Sequence, residues 1–177
     1  VDAASAQQGG PETVASFVAA YKGGASPKDV AERIERAVQT FAGDGMGFFI
    51  QRKPEELAKD AAASAERHKA GKPLSVFDGV PFVIKDELDV KGYATTLGTS
   101  WRHGVADADS AIAARLRAAG ALLVGKGNMN EIGINPIGLN PHWGVCRNPW
   151  DKSRITGGSS SASAATVAAG LAPISIG

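Results

Sequence analysis

Two stretches of the 177-residue sequence carry residue types able to do chemistry. The first is Lys85, which closes the apolar run Val80-Pro81-Phe82-Val83-Ile84 and is followed by Asp86-Glu87. A lysine drawn into apolar surroundings loses hydration, which disfavours its ammonium form, and a lysine must shed that proton to act as a base. The plainer alternative is a lysine that emerges at a strand end and pairs with Asp86 or Glu87. The second stretch is Gly157-Gly158-Ser159-Ser160-Ser161, which leads into a run of Ala, Ser, Thr and Val. Glycines allow close approach of backbone to a ligand, and a helix start presents N–H groups to an anion or oxyanion. Three hydroxyls there can donate, accept or relay protons, or simply cap the helix. A Walker A loop is excluded because no Gly-Lys-Ser/Thr follows. The G-x-S-x-G elbow is excluded because Ser161 or Ala162 stands where its second glycine would be. In the Ser…Asp…His order of α/β-hydrolases the histidine follows the serine, yet His68, His103 and His142 all precede Ser159. A Ser–Lys pairing stays open, since lysine activates a hydroxyl as histidine does.

The elements that must position these residues follow from periodicity. Val14, Phe17, Val18 and Tyr21 recur at helical spacing until Gly23-Gly24, and could face a core or an interface. Ser26-Pro27 opens a second helix with Val30, Ile34, Val38 and Phe41 inward. Phe48-Phe49-Ile50 is a short buried run, and Pro54 to Lys69 a third helix rich in Ala and charge. The run ending at Lys85 reads as a strand buried on both faces. Asp109-Ser110 caps a helix through Ala119, and Ala121 to Val124 forms another buried strand. Helices alternating with such strands argue for an α/β layered fold. The Ala162 to Ala169 helix has no large or charged side chain, which predicts burial on all sides. Leu171 to Gly177 opens a further buried strand, whose backbone groups would need partners; the chain is therefore expected to be an N-terminal fragment.

Composition supports this frame. With 44% hydrophobic and 21% charged residues, the chain matches a folded globular protein rather than a disordered or fibrous one. Nineteen Lys/Arg against eighteen Asp/Glu, with no basic stripe, argue against nucleic acid or an anionic membrane as partner. The single Cys146 cannot form an internal disulfide and reads as a small core filler, and three scattered histidines make no standard zinc site. No stretch of about 20 large apolar residues spans a membrane. The start, Val1-Asp2-Ala3-Ala4, lacks a methionine and a signal pattern, so a processed end and a cytoplasmic default are expected.

Taken together, several segments resemble the amidase signature family. They are Gly79 to Asp86, Ala94-Thr95-Thr96-Leu97-Gly98-Thr99-Ser100, Gly120 to Glu131, Asn148-Pro149-Trp150-Asp151 and Gly157 to Ser161, in the family's order and spacing. Asn140-Pro141-His142-Trp143-Gly144 and Ser161 bring it closest to fatty-acid-amide-hydrolase-like members. The resemblance implies an α/β fold with a mixed sheet covered by helices. Residues 1–78 would be the helical N-terminal part and 79–177 the first part of an incomplete signature core. It also implies hydrolysis of a carboxylic amide through an acyl-enzyme, with no metal or cofactor and a small-molecule amide as substrate. In that scheme Lys85 is the base, Ser159 the serine that bridges it to the nucleophile across a cis peptide, and Ser160 a supporting hydrogen-bonder. Ile132 and Gly133 fall where members line the acyl pocket. The family's nucleophilic serine and oxyanion segment fall beyond Gly177. Two departures stand out: Ser161-Ala162 replaces the usual second glycine pair, and Thr156 stands where proline is common. Three further possibilities stay open. One is an amidotransferase component that hydrolyses glutamine beside partner subunits, another is a non-enzymatic anion-binding module, and the third, compatible with either enzyme, is a homodimer.

Overall fold

The computed structural model describes residues 12–101 and 104–177. The chain start Val1–Ala4 and His103, both weighed above, lie outside them. Thr13 caps helix α1 (Val14–Lys22) by accepting from Ser16 N–H, while Ser16 reaches back to Thr13 N–H, a reciprocal capping box. Ser26 caps α2 (Pro27–Gly43), with Pro27 supplying the fixed φ of a first turn. Strand β1 (Phe49–Gln51) and helix α3 (Pro54–Lys69) follow. Then come β2 (Pro81–Lys85), α4 (Ala111–Ala118) and β3 (Leu122–Gly127). After a short ribbon of β4 (Leu139–Asn140) and β5 (Gly144–Val145), α5 (Ser161–Ala168) and β6 (Ile174–Ile176) complete the order.

The main sheet runs β1-β3-β2-β6, mixed in sense: β1 is antiparallel to β3, whereas β2 is parallel to both β3 and β6. All five residues of β2 and all six of β3 are buried, the pattern of central strands covered on both faces. Alternation divides their side chains between two cores. Val83, Leu122 and Val124 join Ile34, Val38, Leu57, Ala162 and Ala165 from α2, α3 and α5. Phe82, Ile84 and Leu123 point the other way, onto Val90, Tyr93 and Ala113 of α4. This is the three-layer α/β arrangement expected from the alternating elements. Phe17 and Tyr21 of α1 close the sheet's end on Val80, and Tyr21 Oη donates to Gly79 O at 2.6 Å. They are core residues, and Val18 beside them is half-buried.

Two expectations are corrected. α5 is buried on one side only: Ala162 and Ala165 face the sheet while Ala164, Val167 and Ala168 are exposed. Its small residues serve close packing, because a Cβ on Gly127 of β3 would come within 3.2 Å of the Ala162 methyl. Asp109-Ser110 does not cap α4 through side chains; Ser110 Oγ is buried without a partner, and Asp109 accepts from Lys91 N–H and pairs with Arg117. Among the described residues no helix is long and apolar enough to cross a membrane.

Candidate active site

Lys85 sits where β2 leaves the sheet, at the end of an apolar strand that carries its side chain inward until only 6% is exposed. Its Nζ donates to Ser159 Oγ at 2.9 Å, across 74 residues of sequence. The same ammonium lies 3.3 Å from Glu87 Oε2. Of the two carboxylates expected to serve as partner, Glu87 therefore does and Asp86 does not. Successive residues leave a strand on opposite sides, and Asp86 turns instead to Lys126 on β3, 3.1 Å away.

Ser159 is held by its backbone. Gly157 adopts φ +78° and the Gly158–Ser159 peptide is cis. Asn130 N–H donates to Ser159 O at 3.0 Å, and Ala162 N–H to Asn128 O at 3.0 Å, which ties the start of α5 to the end of β3. Gly158 is a glycine by necessity: a Cβ there would overlap Asn130 Oδ1 and press on Gly138 N at 3.0 Å and Asn135 O at 3.1 Å. Ser160 lies at the helix cap without a side-chain capping bond. Its hydroxyl faces the chain end, 2.8 Å from where a Gly177 Cβ would stand. Ser161 begins α5 and is buried, its Oγ 3.5 Å from Ser159 O.

Gly133 occupies the same corner as Lys85 and Ser159. A Cβ on it would stand 3.0 Å from Glu87 Oε2 and 3.9 Å from Ser159 Oγ. Ile132, in the 3-10 turn Glu131–Gly133, has φ +57° and is half exposed. That backbone region is costly for a β-branched residue. Ile132 N–H donates at 2.8 Å to the carbonyl of Leu97, the other non-glycine residue with positive φ among the described residues, at φ +54°. Ile134, Ile137 and Leu139 continue an exposed apolar segment from this turn. The structure thus brings Lys85, Ser159 and Gly133 together, with Ile132 at the rim and Ser160 turned toward the chain end.

Sequence reasoning missed three buried polar residues beneath the site: Lys126, Asp86 as its partner, and Asn130. Lys126 is fully buried, yet its sequence signal is only a charge inside Val124-Gly125-Lys126-Gly127. Asn130 stands in Gly-Asn-Met-Asn, with nothing in sequence to show that its amide holds the backbone of Gly138 and Leu139. Cys146 is the buried filler expected, and desolvation pushes its thiol up to about 12. The two described histidines do not converge: His68 packs on Tyr21 and its Nε2 lies 3.0 Å from Asp78 O, whereas His142 pairs with Glu131. Among the described residues no cluster of three or more His, Cys, Asp or Glu could hold a metal ion.

Comparison with known proteins bears on this geometry. Residues 32–177 match the family model described as Amidase. A fatty acid amide hydrolase of Arabidopsis thaliana is 43% identical over 156 residues, 86% of this chain and 26% of its own length. A glutamyl-tRNA(Gln) amidotransferase component of Symbiobacterium thermophilum is 42% identical over 134 residues, 75% of this chain and 28% of its own. A solved amidase superposes with a TM-score of 0.87 at 32% identity, covering 94% of this chain and 38% of that one. The chain spans about a quarter of the length of these curated relatives.

Proposed function

This chain belongs to the amidase family, and from that premise we propose that the complete protein hydrolyses a carboxylic amide through an acyl-enzyme, with Lys85 as base and Ser159 as proton bridge. The observation that carries the reading is the 2.9 Å contact between Lys85 Nζ and Ser159 Oγ inside a nearly closed corner. With lysine neutral, the hydrogen bond reverses: Ser159 gives its proton to Nζ and accepts one from a serine nucleophile supplied beyond Gly177. The serine alkoxide so formed attacks the amide carbonyl, the lysinium returns the proton through Ser159 to the departing amine, and water, deprotonated by the same relay, then breaks the serine ester and releases the acid. Ser160 supports the bridge from the helix cap. Ile132 and Gly133 line the acyl side, and their exposed apolar neighbours suit an apolar acyl group. Residues 1–78 are taken as the N-terminal part, which adds β1 to the sheet beside α1, α2 and α3, and 79–177 as the first part of the catalytic core. The reading places the protein in the cytoplasm, with homodimers possible and no cofactor required.

Lys85→Ala in the complete protein tests the assignment. We expect amide turnover to fall at least 100-fold across pH 6–9, in line with the usual worth of a positioned base; undiminished turnover would sink it. The amidotransferase relative supports a second reading, glutamine hydrolysis beside partner subunits. Ammonia release from free glutamine, with no turnover of N-acyl amides, would select it.

A further inference from the structure

The fully buried Asp86 and Lys126 raise the question of why an ion pair sits beneath Lys85 at all. Both side chains are wholly inaccessible, and removing two charges from water costs more than an apolar pair of the same volume would. Their partners are specific. Lys126 Nζ donates to Ala94 O at 3.3 Å and Thr95 Oγ1 at 3.2 Å. Asp86 Oδ2 accepts from Thr96 N–H at 3.0 Å and, closely, from Thr96 Oγ1. Asp86 Oδ1 has no hydrogen-bond partner among the described residues and rests on the Lys126 charge alone.

The backbone around the pair is pinned as well. Asp86 N–H donates to Gly127 O at 3.2 Å, and Asp86 O accepts from Leu97 N–H at 3.2 Å. Leu97 O then accepts from Ile132 N–H. Backbone hydrogen bonds thus run from Asp86, the residue that follows Lys85, through Leu97 to the Ile132 turn. A shift of Asp86 would move the Lys85 Cα and, through Leu97, the rim of the site.

We infer that Asp86 and Lys126 form a positioning pair: their buried ion pair fixes the turn after β2 so that the Lys85 amine meets Ser159. The inference rests on the assignment of Lys85 as base, and it adds two residues that touch neither substrate nor reacting atoms.

The test uses the complete protein and a double variant, Asp86→Asn with Lys126→Met, which removes both charges while keeping their volume. Neutralising both members of a buried pair is tolerated far better than removing one. An alkyl fluorophosphonate is the probe: it phosphonylates an activated serine, with a serine–phosphorus bond formed and fluoride expelled. Its labelling stoichiometry counts folded sites and its rate reports activation of the serine. We expect full stoichiometry, labelling slowed 10- to 100-fold, kcat down by a similar factor and KM within about twofold, as for a reacting group misplaced by up to about 1 Å. Labelling at the wild-type rate, at any stoichiometry, overturns the inference by reducing the pair to a structural one. If the double variant yields no soluble protein, Thr96→Val decides, because it removes one donor to Asp86 and keeps both charges. Slowing of at least threefold upholds the inference, and an unchanged rate overturns it. Lys85→Met serves as the control: wild-type labelling there would refute the base assignment itself.

Discussion

Gly158→Ala is the most exacting test of how the serine is held. The added methyl would overlap Asn130 Oδ1 and meet Gly138 N at 3.0 Å and Asn135 O at 3.1 Å, two of the three being backbone. The only group able to yield is the Asn130 amide. That amide is committed: Oδ1 accepts from Gly138 N–H at 2.8 Å and Nδ2 donates to Leu139 O at 2.7 Å, with Asn130 itself buried. Displacing it breaks two hydrogen bonds, one buried and one part-buried, each worth about 1 kcal/mol net and up to about 3 where a group is left unsatisfied. Against this, replacing glycine by alanine restricts the unfolded chain and returns about 0.4–1 kcal/mol. The balance is a loss of about 1–5 kcal/mol. Activity should fall further than stability alone requires, because Asn130 N–H also holds Ser159 O, and a shift of about 1 Å costs on the order of 100-fold in rate. Urea unfolding with an unchanged slope, read beside turnover of an N-acyl amide, measures both. Asn130→Ala in the same chain removes the struck atom, so the two losses should be less than additive by at least about 1 kcal/mol. A Gly158→Ala protein with wild-type midpoint and turnover, or strictly additive losses, would refute the reasoning.

Two further outcomes follow from charge and burial. Burial alone would raise the Asp78 carboxyl, but hydrogen bonds from Arg67, Leu74 N–H and Ser64, with the Arg67 charge, outweigh it and hold the group below the usual carboxylate range. A carboxyl depressed in the folded state stabilises above its unfolded value of about 3.9 and loses that contribution as pH falls through the folded value. Asp78→Asn should therefore cost about 3 kcal/mol at pH 7 and flatten the acid limb of stability; an acid limb unchanged in urea titrations at pH 2–5 would contradict it. Cys146, buried and with its thiol pushed up to about 12, should resist iodoacetamide at pH 8 in the native protein and react fully in guanidinium. Rapid native alkylation would place the thiol elsewhere.

Much of the fold was legible because its signals are local. The third helix runs from Pro54 to Lys69 as read, since a first-turn proline and the drift of charge from acid to base mark both ends. β2 announced itself by an unbroken apolar run. β3 was read short, ending at Val124 instead of Gly127, because Gly125, Lys126 and Gly127 interrupt apolarity without interrupting the strand. The glycines are there for reasons one strand cannot show: a Cβ at Gly125 would meet Gln51 O of β1 at 2.9 Å. The antiparallel addition of β1 to β3 was likewise hidden, since three half-buried residues carry no record of their partner.

The site was legible in a different way. Composition and spacing left Lys85 balanced between a base and an ordinary ion pair, and the structure shows why that balance was fair: its ammonium touches Ser159 and Glu87 together. Family resemblance singled out the Lys85–Ser159 pairing, which no local pattern could show across 74 residues. What stayed invisible lies one layer deeper, where Lys126 on β3 and Asp86 beyond β2 meet only because the two strands run parallel from Pro81 against Leu122 to Lys85 against Gly127, with a one-residue register shift between Phe82 and Val83. A buried charge reveals itself in sequence only as a charge; its partner is a property of the sheet. That is why the buried partners beneath Lys85 are harder to read from sequence than Lys85 itself.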